Sequence, residues 1–273
     1  MPEVLGQVVA ITGASAGIGR ATALLLASKG AHVVALARRG DRLNAMAEQP
    51  ATGSGRITAH EGDVTSEPDM QALVERTIQV AGRIDVMICN AGIGYHGTLE
   101  ETSPDDMRRI VDVNLMGTLY AARAALIAMR RQGHGHIIAV SSIVGRRGIG
   151  GSSVYSATKA AQIAFIESLR AEFVGTSLHA SVVLPVSTTT EFRDAMARDF
   201  GHRVAGKGPK QTPDHVARAV VACIRSPRAE VYPLRKARGL SVLNVVAPAT
   251  ADRFVHRFRR QRRPVDDDDR GHS

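Results

Sequence analysis

Tyr155 and Lys159, in the run Tyr155-Ser156-Ala157-Thr158-Lys159, are the residues of this chain best suited to moving a proton. On a helix, positions four apart share a face, and an ammonium beside a phenol favours the phenolate, whose ordinary pKa lies near 10. Such a pair fits a reaction in which a carbonyl oxygen gains or loses a proton while its carbon gains or loses hydride. A hydroxyl to hold that oxygen is offered by Ser141-Ser142, and because adjacent strand positions point to opposite sides, only one of the two can face the pair. Taken alone, Tyr-x-x-x-Lys is commonly just an amphipathic helix pair with its tips in water. Its meaning depends on what else the fold brings to it.

A hydride carrier needs a seat, and Thr12-Gly13-Ala14-Ser15-Ala16-Gly17-Ile18-Gly19 offers one between the first strand and the first helix. Small residues there let the backbone approach a pyrophosphate, and the helix N-terminus presents unpaired N–H donors. Gly13, Ser15, Ala16, Gly17, Ile18 and Gly19 are therefore the expected phosphate contacts. The spacing Gly-x-x-x-Gly-x-Gly is looser than the common dinucleotide fingerprint. After the second strand, Ala37 stands where an acid would bind a ribose 2′-hydroxyl, and Arg38 or Arg39 supplies a planar fork for a 2′-phosphate. This predicts NADP(H) as the preferred cofactor, with NAD(H) as the other nicotinamide such a site could take.

These residues must be positioned by regular elements, and the hydrophobic pattern supplies them. Strands are predicted at Val8–Ile11, His32–Ala37, Ile57–Glu61, Asp85–Cys89, His136–Val140 and Ala180–Leu184, with a seventh near Glu230–Tyr232. Helical patterns lie between them at Ala21–Ala27, Arg42–Glu48, Asp69–Ala81, Pro104–Met129 and Val154–Phe173. This alternation predicts one α/β domain of doubly wound Rossmann type, a parallel seven-stranded sheet with helices on both faces and ligands at the carboxyl ends of its strands.

With that order in hand, the chain resembles the short-chain dehydrogenase/reductase family from residue 6 to about 235. Asn90-Ala91-Gly92 follows the fourth strand, Asp63-Val64 follows the third, and Asn114 sits in the next long helix. Tyr155 lies thirteen residues beyond Ser142, which is similar to that family's serine-to-tyrosine interval and favours Ser142 over Ser141. The resemblance implies a catalytic set of Asn114, Ser142, Tyr155 and Lys159. It also implies that Lys159 bonds the nicotinamide ribose, that Asn114 holds a water linking Lys159 to solvent, and that Asp63 contacts the adenine. Asn90, Ala91 and Gly92 support the sheet beside the cofactor, with Val64, Pro185 and Thr190 completing the contacts, Thr190 at the carboxamide. The chain departs from the family at Pro185-Val186, where Pro-Gly is usual, which is expected to narrow the substrate side. A homodimer or homotetramer is implied as well.

Beyond the site, Phe192 to Lys210 precedes the helix signal Thr212-Pro213-Asp214 and is the expected substrate lid, within 187–212. Tyr95, His96, Val144, Ile149, Val186 and Phe192 are expected pocket walls, mostly apolar, which favours a hydrophobic ketone or secondary alcohol. The formal charge of +9 is concentrated in residues 235–263, which carry +8, while 264–273 carry −3. The excess therefore marks a C-terminal extension, residues 239–273, rather than a nucleic-acid surface over the catalytic body, residues 1–238. In it Phe254, Val255 and Phe258 fall on one side of a basic amphipathic helix, and an acidic run, Asp266 to Asp269, follows. Docking on the body or on a sister subunit is the favoured use, peripheral membrane contact is second, and nucleic acid is not expected. Cys89 and Cys223 sit in apolar segments without metal spacing, and no basic stretch with an apolar h-region opens the chain, so a cytoplasmic protein with no metal is expected. The rival reading is a catalytically silent nucleotide-binding regulator or scaffold of the same fold, against which the intact Asn114, Ser142, Tyr155 and Lys159 set weighs.

Overall fold

A computed structural model describes residues 4–49, 53–200, 202–205, 210–256 and 261–264. Seven strands, β1 (Val8–Thr12), β2 (His32–Ala37), β3 (Arg56–Glu61), β4 (Val86–Cys89), β5 (His134–Val140), β6 (Ser177–Val183) and β8 (Glu230–Val231), form one parallel sheet in the order β3-β2-β1-β4-β5-β6-β8. A separate antiparallel ribbon pairs β7 (His202–Ala205) with β9 (Gln261–Pro264). The helices are α1 (Gly17–Ser28), α2 (Gly40–Ala47), α3 (Glu67–Ala81), α4 (Pro104–Val111), α5 (Gly117–Gln132), α6 (Ser153–Glu172), α7 (Phe192–Phe200), α8 (Pro213–Arg225), α9 (Arg238–Val246) and α10 (Pro248–His256).

The central strands β1 and β4 are almost wholly apolar because both sheet faces are covered there, while the edge strand β3 carries Arg56, His60 and Glu61; side-chain alternation divides the strands between two cores. Ala10, Val34, Leu36, Met87, Ile137 and Ala139 face a layer with Met70 and Leu73 of α3, Ala121 and Ala125 of α5, and Ile163 and Ile166 of α6. Val9, Ile11, Val33, Ile88 and Ile138 face the other, with Ala23 and Leu26 of α1, Leu43 of α2, and Val216 and Val220 of α8. The starts of α3, α4 and α8 follow capping chemistry. Ser66 accepts from Asp69 N, Ser103 from Asp106 N and Thr212 from His215 N, each with proline in the first turn. α1 starts otherwise, because Ala16 at its N-cap has no side chain able to cap it.

The chain passes from β1 outward to β2 and β3, then crosses to β4 on the far side of β1. Strand order therefore reverses beside β1, which opens a crevice at the carboxyl ends of β1 and β4. One expectation needs correction, and one element is new. The single helix expected over Pro104–Met129 is broken by a π-helical turn, Asp112–Met116, and then runs on to Gln132. The ribbon of β7 and β9 was not foreseen, because it joins segments far apart in sequence that have no shared turn signal. The stretch Pro104–Gln132 is long and apolar enough on average to span a bilayer, yet Arg123 of α5 pairs with Glu67 of α3 and the helix packs into the core.

Candidate active site

The crevice is a cleft of about 540 Å³. At its floor Gly13 and Gly17 take left-handed φ values of +69° and +56°, which only glycine adopts without strain. A β-carbon on Gly13 would stand 2.7 Å from Ala91 Cα, and one on Gly19 would collide with the Gly13 carbonyl and the Asn90 amide. These glycines hold the turn against β4. Asn90 Nδ2 donates to Thr12 O (2.9 Å) and Gly13 O (3.2 Å), and Thr12 Oγ1 accepts from the backbone N–H groups of Asn90 and Ala91 (3.1 Å each). With α1 uncapped by any side chain, its first-turn N–H groups remain available to an anion in the cleft. The floor thus fits a dinucleotide pyrophosphate.

At the adenosine end, Arg39 Nε and Nη2 donate to Ser15 Oγ (3.1 and 2.9 Å), while Arg38 Nη1 lies 4.0 Å from Asp63 Oδ2. Asp63 Oδ1 accepts from Thr65 N and Oγ1, both at 2.9 Å, and buried Val64 packs where a β-carbon of Gly117 would stand. Ala37 places no acid here. A carboxylate arrives instead from the other side of the cleft, since Glu191 Oε2 accepts from Arg42 (2.7 Å) and Arg39 (3.4 Å). The Arg42 hydrogen bond holds the Glu191 carboxyl below its usual range. Nothing local in the sequence signalled this strap, because its partners are 149 and 152 residues apart.

At the other end, α6 delivers Tyr155 and Lys159 to the cleft wall, with Lys159 Nζ 5.8 Å from the Tyr155 ring centre. Lys159 is 4% exposed, and its amine donates to Val140 O (3.2 Å) and Gln162 Oε1 (3.0 Å). Burial pushes its pKa down to about 7. Ser141 Oγ is turned away and donates to Lys159 O (2.8 Å). Both serines line the cleft, but the Ser142 hydroxyl is 3.4 Å from Pro185 O, so the two hydroxyls are turned to different partners. Asn114 is fully buried in the π turn, where Oδ1 accepts from Ile93 N (2.8 Å) and Nδ2 donates to Ile93 O and Thr158 Oγ1. Its backbone carbonyl accepts from both Gln162 Nε2 (2.7 Å) and Thr118 Oγ1 (2.9 Å). π turns of this kind are frequent at functional sites. Gly92 lies against this cluster, its missing β-carbon position 3.0 Å from Asn114 Oδ1.

Across the cleft, Pro185 and Val186 line the wall after β6, and no non-glycine among the described residues has positive φ, so a β-branched side chain at 186 is accommodated without strain. Thr190 packs over Gly17, 3.1 Å from its missing β-carbon position, and its hydroxyl accepts from Phe192 N (3.2 Å) at the start of α7. Among the expected walls, Tyr95, Val144, Val186 and Phe192 line the cleft. His96 and Ile149 do not: His96 is buried with Nδ1 3.1 Å from Ser152 Oγ, which secures the loop behind.

At the C-terminus, α9 and α10 lie on the body, where Asn244 donates to Arg146 O, Asp252 pairs with Arg147, and Ala251 is fully buried. The side chains of Phe254, Val255 and Phe258, and the whole run Asp266 to Asp269, lie outside the described residues.

Comparison with known proteins places this cleft in context. Residues 7–200 match the profile described as short chain dehydrogenase. The chain is 37% identical over 239 residues, 83% of its length and 93% of the relative's, to an uncharacterized oxidoreductase of Staphylococcus saprophyticus. In fold it is similar to a short-chain dehydrogenase/reductase of Burkholderia phymatum in complex with NAD, at a TM-score of 0.81 and 22% identity over 92% of this chain and 96% of that one. An alcohol dehydrogenase of the archaeon Thermococcus sibiricus, complexed with 5-hydroxy-NADP, superposes at a TM-score of 0.72 with 28% identity, over 83% and 95% of the two chains.

Proposed function

The chain belongs to the short-chain dehydrogenase/reductase family and is an NAD(P)-dependent oxidoreductase; on that footing we propose that it interconverts a hydrophobic ketone and its secondary alcohol with NADP(H), using Tyr155 as general acid and base. The observation that carries this reading is the placing of Tyr155, buried Lys159 and Ser142 on one cleft whose floor fits a dinucleotide. When bound, the nicotinamide supplies or accepts the hydride. Ser142 holds the substrate oxygen, and Tyr155 gives that oxygen its proton in reduction or takes it in oxidation. Lys159, when protonated, stabilises the phenolate left behind. Asp63 and Val64 would border the adenine, Asn90 and Ala91 hold the turn that would lie beneath the cofactor, and Thr190 and Pro185 would border the nicotinamide end.

The preference for NADP(H) over NAD(H) is supported by Ala37 in place of an acid and by Arg38, Arg39 and Ser15 gathered at the adenosine end. Val144, Val186, Phe192 and Met196 give the substrate side an apolar wall, and Val186 narrows it. Residues 187–212, containing α7, act as the lid of a catalytic body spanning residues 1–238. We propose a homo-oligomer, and for the face of α9 that carries Val242, Val245 and Val246 (55, 81 and 78% exposed) beside Arg235, Lys236 and Arg238, a peripheral contact with an anionic membrane. Two free buried cysteines suit a reducing, cytoplasmic setting.

The test is a screen of hydrophobic ketones and secondary alcohols followed at the NADPH absorbance band, with Tyr155→Phe as control. Turnover with NADPH, lowered about 10²- to 10⁴-fold in the variant with cofactor affinity kept, is the expected result. Undiminished turnover by Tyr155→Phe overturns the assignment.

A further inference from the structure

Gln162 lies one turn beyond Lys159 on α6, fully buried, and no ordinary core role explains an amide there. Its orientation is forced by its neighbours. The Asn114 carbonyl can only accept and Lys159 Nζ, when protonated, can only donate, so the amide nitrogen must face the first and the oxygen the second. Nε2 places one proton on Asn114 O and the other on Thr118 Oγ1, each at 2.7 Å, while Thr118 Oγ1 donates to Asn114 O at 2.9 Å. Both lone pairs of the π-turn carbonyl are thereby used. Of the three ammonium protons, two go to Val140 O and Gln162 Oε1, leaving one for the cleft.

We propose that Gln162 is a positioning residue of the proton-transfer site: its amide joins the Asn114 carbonyl to Lys159, holding the ammonium at its station and setting how readily it stays charged. The inference rests on the reading of Tyr155 and Lys159 as the acid/base pair. The surroundings leave this role to few other groups. α6 contributes Tyr155, the π turn and α5 contribute neutral Asn114 and Thr118, and β5 contributes a backbone carbonyl. From β4 comes Cys89, whose thiol burial pushes up to about 12 and so keeps neutral. Burial alone displaces Lys159, with no carboxylate or second cation contributing among the described residues. Removing the one side-chain acceptor of a buried ammonium must therefore disfavour its charged form.

The experiment is ¹⁵N NMR titration of the lysine side chains in cofactor-free protein, with Lys159→Met identifying the signal, for the wild type, Gln162→Leu and Gln162→Glu. The Lys159 midpoint is expected to fall by about one pH unit in Gln162→Leu, which loses the acceptor, and to rise in Gln162→Glu, which places a carboxylate there. Both variants sever the Nε2 bonds, so a purely structural role would move the two in the same sense or not at all. Either of those results overturns the proposal, and should one variant fail to fold, the sign of the other decides. In a turnover-competent enzyme, the low-pH limb of alcohol oxidation should move upward by about one unit in Gln162→Leu, because less ammonium stands by the phenol. A limb that stays put while the midpoint moves overturns the link to proton transfer. A wild type without any turnover would instead refute the redox reading, and the NMR result would still judge Gln162.

Discussion

Burying Lys159 should leave a signature in the stability of the cofactor-free protein. Its pKa falls from an ordinary 10.5 to about 7, so between those pH values the unfolded chain binds more protons than the folded one. Stability must then rise with pH across that window and flatten below it. At about 1.36 kcal/mol per unit, the whole displacement corresponds to about 5 kcal/mol, and the step from pH 7 to pH 9 to about 2 kcal/mol. Urea unfolding of the wild type and Lys159→Met at pH 7, 8 and 9 isolates this contribution, because every other titrating group cancels in the difference. Methionine leaves Val140 O and Gln162 Oε1 without their donor, at about 1–3 kcal/mol each, but that cost does not vary over this pH range. The expected result is a wild-type stability that gains about 2 kcal/mol on the variant between pH 7 and 9. Parallel profiles would refute the claim that the amine is held largely neutral in the empty site.

Two further outcomes concern the cofactor and the surface. Arg38→Asp should weaken NADPH binding about 10- to 100-fold, the loss of one charge-assisted hydrogen bond, while leaving NADH binding little changed; a wild type that binds NADH more tightly than NADPH removes the premise. The full-length protein should co-sediment with vesicles rich in phosphatidylserine, and a Val245→Glu, Val246→Glu double variant should not. Wild type remaining in the supernatant excludes the membrane contact, and light scattering of the same samples, expected to give the mass of two or four chains, checks the oligomer.

What could be read from the sequence was whatever leaves a local trace. The central strands announced themselves as short apolar runs, as a sheet covered on both faces demands, the outer ones by their place in the strand-helix alternation, and Thr212-Pro213-Asp214 marked the start of α8 through its cap. The glycine turn was legible because left-handed φ and close backbone approach leave no alternative residue. The break at Asp112–Met116 was not, since the apolar periodicity runs straight through it and only the tertiary partner of the Asn114 carbonyl reveals why the helix is wound wider there. Gln162 read as one more polar residue on a helix, because its significance lies in two acceptors brought from other elements to join a donor on its own helix. Glu191 was hidden by distance along the chain, and His96 was misplaced because its side chain turns behind the wall that Tyr95 forms. Ser141 and Ser142 could be separated in principle by the pleat, but which of them faced inward required the position of α6.

The same geometry explains why so costly a group is tolerated. An amine buried at the carboxyl end of a sheet is destabilising unless its protons are spoken for, and here two of the three are met by a strand carbonyl and an amide that is itself fully satisfied. Each of Asn114, Thr118, Ser141 and Thr158 is likewise hydrogen-bonded to a neighbour within this cluster. The remaining ammonium proton is the one that can meet a ligand, so the site holds its incompleteness at a single, cleft-facing point. A polar network closed everywhere but there keeps the amine fixed while leaving its charge responsive to what enters the cleft, which is the property a proton-transfer pair needs and a purely structural ion pair lacks. Its cost to the empty fold and its service to the reaction therefore have one origin, the burial of Lys159 against Val140 and Gln162.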